Sequence, residues 1–174
     1  MNQHDLFVND LLEILVSKNF ISHNESVAIA NNFAASDHDS LIDFLKEEGL
    51  VEPENILEAL SAYYEVPAYD VVGQFFDHDL LRKFSKGFLL RHGIIPLECD
   101  ENILIMVAHD PRIPDLLAKI GESVSYDIQF RVGFMNDICD AVKEFYEAAL
   151  TQVDEDGEYL FEDEIELLDD ADAD

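Results

Sequence analysis

"IIPLECDENILIMVAHDP", residues 94–111, holds two short runs of β-branched and large apolar residues on either side of an Asp100-Glu101-Asn102 turn. IIPLE and ILIMVA therefore read as strands joined by that turn. Upstream, DHDLLRKF (77–84) reads as a short helix capped by Asp77. Downstream come a short helix in RIPDLLAKIG (112–121) and a third strand in YDIQFRVG (126–133). A long amphipathic helix follows in MNDICDAVKEFYEAAL (135–150), with Ile138, Val142 and Phe145 at spacings of four and three. Three strands with short links predict a small antiparallel or mixed sheet covered by helices.

Ahead of this region lies an internal repeat at an offset of 30, where LLEILVSKNFISHNESVAIANNF (11–33) lies over LIDFLKEEGLVEPENILEALSAY (41–63). Asn19 falls on Gly49, the two residue types that best tolerate the left-handed backbone at a helix end. Each unit reads as helix, tight turn, helix. Leu41, Phe44 and Leu45 form one apolar stripe and Ile56, Leu60 and Tyr63 another. Pro53 suits a first helical residue, Val66-Pro67 forces the chain out of helix, and NNFAASDHDS (31–40) reads as a polar linker. The expected fold is α+β. A helical tandem-hairpin region (1–70) would pack with a small α/β region (71–150) bearing a three-stranded sheet, and a disordered, mobile acidic tail (151–174) would follow.

With 174 residues and 48% hydrophobic composition the chain can build a real core. No run of 18 apolar residues occurs, and no basic residue precedes an apolar stretch at the start, so neither a membrane span nor an export signal is expected. The protein is expected to be cytoplasmic. Cys99 and Cys139 are then reduced, buried thiols. Against 39 acidic residues stand 10 basic ones, a formal net charge of −29. That charge repels nucleic acid and anionic membranes. Residues 154–174 hold twelve carboxylates and no cation, which leaves −17 for residues 1–153.

RHGIIPLECDENILIMVAHDP (91–111) and EEGLVEPENILEALSAYYEVPAYD (47–70) carry a resemblance. Over about residues 9–149 the chain resembles the N-terminal domain of type II secretion and type IV pilus assembly ATPases, including the variant that binds cyclic di-GMP. The resemblance implies a bacterial domain that docks a motor onto its inner-membrane platform. Members that bind the dinucleotide use two copies of an Arg-Leu-Gly helix start, a Gly turn and a late Gln. Here the arginine places fall on Asp10 and Ser40, the glycines on Leu12 and Ile42, and the glutamines on Phe33 and Tyr63. Leu11, Leu41 and Gly49 match, with Asn19 a tolerable substitute. An aspartate where a phosphate-binding arginine belongs is repulsive, so cyclic di-GMP is not the expected ligand. No GxxxxGK[ST] phosphate loop occurs either; FSKGFLL and KIGES lack its spacing, so ATP hydrolysis is not expected.

Other candidates read as structural. Asp-His-Asp occurs at 37–39 and 77–79, where capping and solvation outweigh metal ligation. His92 and His109 flank the predicted strands and could approach each other, with no nucleophile spaced to form a triad. Arg82, Lys83, Lys86, Arg91 and Arg112 are the densest cations and read as balancing charge, or else as a phosphate-facing patch. QVDEDGEYLFED (152–163) partly resembles a calcium loop, but Gln152 replaces the first carboxylate and Asp163 the last glutamate. In the tail Phe161, Ile165 and Leu168 fall at helical spacing and form the candidate partner-binding residues.

The expected function is a non-catalytic, protein-binding adaptor of secretion or pilus machinery, with no cofactor, metal, nucleic acid or membrane insertion. Its partner would be an inner-membrane platform or motor component, met by the α/β region with the tail as a separate hook. The alternative is a receptor for cyclic di-GMP or another small ligand on the tandem hairpins.

Overall fold

The computed structural model describes residues 2–151. The expected tail beyond Thr151, with Phe161, Ile165, Leu168 and the calcium-like stretch, lies outside the described residues. Among those described, eight helices and one three-stranded sheet make an α+β fold. The chain divides into two compact units, one of Met1–Ala68 and one that begins at Tyr69.

The first unit is helical: α1 (Gln3–Ser17), α2 (His23–Ala34), α3 (Leu41–Glu47) and α4 (Pro53–Tyr64). The repeat is present as two helix-turn-helix units, and Asn19 and Gly49 both take the left-handed conformation, with φ of 63° and 64°. Side chains cap three of the helix starts. Asn2 accepts from the Asp5 N–H and Ser40 from that of Asp43, while Ser22 and Glu25 form a reciprocal capping box. Pro53 opens α4 as expected, and Glu65 ends it in a left-handed turn. Leu11, Leu15, Leu41, Leu45 and Ile56 are fully buried, so the two hairpins meet through the apolar stripes read from sequence. Two boundaries differ. α1 starts well before the repeat, because Asn2 supplies a cap, and α2 takes in the first four residues of the expected linker.

The second unit runs α5 (His78–Leu81), α6 (Lys86–His92), β1 (Ile94–Asp100), β2 (Ile103–Ala108), α7 (Leu116–Gly121), β3 (Asp127–Val132) and α8 (Met135–Thr151). The sheet is mixed, in the order β1-β2-β3, with β1 antiparallel and β3 parallel to β2. Ile94 pairs with Ala108 and Asp100 with Ile103. Between Pro96 and Glu98 the register slips by one residue and leaves Leu97 as a bulge. Met106, Val107 and Ala108 are all buried although successive side chains point to opposite faces. Both faces are therefore covered at that end, which explains why β2 is a continuous apolar run rather than an alternating one.

α8 buries Ile138, Val142 and Tyr146. Tyr146 takes the core place expected of Phe145, which is half-buried beside it. The Tyr146 hydroxyl donates to the carbonyl of Phe84 at 2.6 Å, with that of Leu81 at 3.4 Å, so it ties α8 to the turn after α5. Both cysteines are free and half-buried rather than fully buried; burial pushes the Cys139 thiol up in pKa.

Candidate functional site

A cavity of about 640 Å³ opens on the second unit between the segment 71–76, the start of α5 and one face of α8. The segment before α5 is built by hydrogen bonds. Asp70 accepts from the Val72 N–H at 3.0 Å, the Gln74 N–H reaches the Val71 carbonyl at 3.3 Å, and Asp77 caps α5 through the N–H groups of Asp79 and Leu80. Val71 is buried in the core and anchors the turn. Val72 and Phe75 then project outward, 61% and 97% exposed. Both are large apolar side chains left in water at the rim of the cavity, on a segment fixed by a hydrogen-bonded turn.

α8 supplies the facing wall. Asp137, Asp140 and Glu144 lie along it at spacings of three and four, with Ala141 between them and Phe145 just after. The Phe145 ring packs edge-on against His78, 4.9 Å between centroids. Arg82 also lines the cavity, 3.7 Å from Asp79. The other cations singled out from sequence, Lys83, Lys86, Arg91 and Arg112, do not line this cavity.

The positions that would hold a dinucleotide lie in the first unit. Asp10 is exposed midway along α1, whereas Ser40 caps α3. Leu12 and Phe33 are buried, and Phe33 packs against Phe44 with ring centroids 5.6 Å apart. Tyr63 is half-buried with Phe7 edge-on at 5.1 Å. Two glutamine places have thus become parts of an aromatic core, and no cation stands at either arginine place.

Of the two Asp-His-Asp runs, the second caps α5 through Asp77. In the first, His38 lies 3.4 Å from Glu47 and edge-on to Phe44. Among the described residues no three His, Cys, Asp or Glu side chains converge in the manner of a metal site. His92 and His109 both belong to the region around Gly93. His92 is buried edge-on against Phe88 at 4.7 Å, and burial holds its pKa below the ordinary range, helped by the nearby Lys119 and Arg91. His109 packs, with Met135, onto the bare Cα of Gly93, and burial lowers its pKa against the opposing pull of Asp110. Neutral, packed imidazoles are structural parts.

Known proteins share this architecture. The family model described as the MshEN domain matches residues 76–152. No curated protein matches the chain. A solved structure of MshE with cdg is similar at a TM-score of 0.62 and 17% identity, over 78% of this chain and 98% of that one. The N-terminal domain of XpsE is similar at a TM-score of 0.53 and 16% identity, over 78% of this chain and 92% of that one. The match to the MshEN domain thus spans residues 76–152, and over 78% of its length the chain shares the fold of MshE and of the N-terminal domain of XpsE.

Proposed function

We propose that the chain is a non-catalytic, cytoplasmic interaction module that docks on bacterial secretion or pilus machinery, at an inner-membrane platform or motor component. The observation that carries this reading is Phe75, 97% exposed beside a hydrogen-bonded turn at the mouth of the cavity. No helix among the described residues is long and apolar enough to cross a membrane, so contact with a membrane machine would run through its protein parts. A second reading, a cyclic-dinucleotide receptor, draws support from the similarity to MshE solved with cdg. Against it stand the exposed carboxylate of Asp10 at an arginine place and the burial of Phe33 at a glutamine place.

Affinity capture on the full chain from its native bacterial lysate, with and without cyclic di-GMP, tests both readings. Retention of an identified platform or motor component, unchanged by the dinucleotide, supports docking. Capture that needs the dinucleotide favours the receptor, and the absence of any such component ends the docking reading. No ATP turnover above blank is expected in the same preparation.

A further inference from the structure

The cavity on the second unit has an acidic wall as well as an apolar mouth. Asp140 and Glu144 follow one face of α8, and Arg82 lines the same cavity, 3.7 Å from Asp79. From 137 to 145 that face runs about 12 Å, two turns of a guest helix. A ligand that fits this cavity presents apolar side chains to Phe75, Val72 and Phe145 while bringing positive charge to Asp140 and Glu144. We infer that the groove takes a cationic amphipathic helix of a partner protein, with its apolar stripe on Phe75 and its Lys or Arg residues against the α8 carboxylates. This deepens the docking reading above and rests on it.

Charge decides against the other occupants. A second copy would bring another −29 to an already acidic wall. The chain's own residues 154–174 carry apolar residues at helical spacing but twelve carboxylates and no cation, and so meet the same repulsion.

The test uses the full chain and a fluorescent peptide of about five helical turns, with Leu and Phe on one face and Lys on the other, beside a counterpart with Glu for Lys. Anisotropy should report binding of the Lys peptide and none of the Glu peptide. Phe75→Ser should weaken binding by about tenfold or more, with no loss of fold because the ring touches no core. Asp140→Lys with Glu144→Lys should weaken it further and flatten its dependence on salt. Equal binding of both peptides, or binding indifferent to Phe75→Ser and to the charge reversals, would overturn the inference. So would a benzoylphenylalanine photo-crosslink from position 75 to residues 152–174 or to a second copy. Should a platform component bind the wild type and the Phe75→Ser chain equally in the capture experiment, this groove fails while the docking function survives; loss of every platform component removes both.

Discussion

Gly93 and Gly49 sit at the same kind of place and differ in what surrounds them. Both take a left-handed φ, but a Cβ on Gly49 would meet nothing, whereas one on Gly93 would collide with Met135 and His109. Gly49→Ala is expected to cost about 1 kcal/mol from backbone strain alone. Gly93→Ala should cost about 2–4 kcal/mol, since strain and overpacking add. Urea denaturation of the pair separates the two effects, and equal midpoints would mean that the collision is relieved without cost. Tyr146→Phe tests another single atom. It removes the hydroxyl that donates to Phe84 and should cost about 1–2 kcal/mol in the same assay. The depressed pKa of His109 has a pH consequence. Above the ordinary histidine value of 6.5 the ring is neutral both folded and unfolded; as pH falls through that value the unfolded chain binds a proton that the folded ring refuses. This contribution therefore turns against the fold on acidification, down to the lowered folded pKa. Relief of carboxylate repulsion acts the other way, so the comparison is between proteins: from about pH 7.5 to 5.5 wild type should lose stability relative to His109→Gln.

At the scale of elements, periodicity and cap chemistry make most of the fold legible. The Asn19/Gly49 alignment, Pro53, the Asp77 cap and the Asp100-Glu101-Asn102 turn stand where the sequence places them, with Glu101 taking the left-handed φ such a tight turn needs. α6 is the helix that the sequence pattern hides, because KGFLLRH is short and FSKGFLL draws the eye only as a failed phosphate loop. Its marks are nonetheless present: Ser85 accepts from the Phe88 N–H at the start, and Gly93 ends the helix. On α8 the stripe keeps Ile138 and Val142 and is displaced by one residue only at its last place. Phe145 and Tyr146 fit the apolar pattern equally well, and only the carbonyls of Leu81 and Phe84 decide that the tyrosine goes inside. The groove is not legible, since Phe75 and Phe76 lie between two elements where no periodicity says which aromatic faces water. An element-scale prediction follows for the first hairpin: Ser22→Ala, which breaks the capping box, should lower stability by about 1 kcal/mol by thermal or urea unfolding.

Charge governs the molecule as a whole. A chain at −29 repels itself, so added sodium chloride should raise its melting temperature, steeply at low ionic strength and little above a few hundred millimolar, where the Debye length falls to about 4 Å or less. A melting temperature indifferent to salt would mean that the carboxylates are already compensated. The charge is legible from composition, and the resemblance from the 91–111 and 47–70 motifs; the place of the cavity requires coordinates. The bulge in β1 bears on what that edge of the sheet can pair with. β1 is an edge strand, and there Pro96 has no N–H to offer while Leu97 breaks the register. At the other edge the Tyr69 N–H already bonds the Val132 carbonyl of β3. A visiting β-strand would find no uninterrupted row of backbone donors and acceptors on β1, so that edge is poorly suited to extension of the sheet, whether by aggregation or by an added strand.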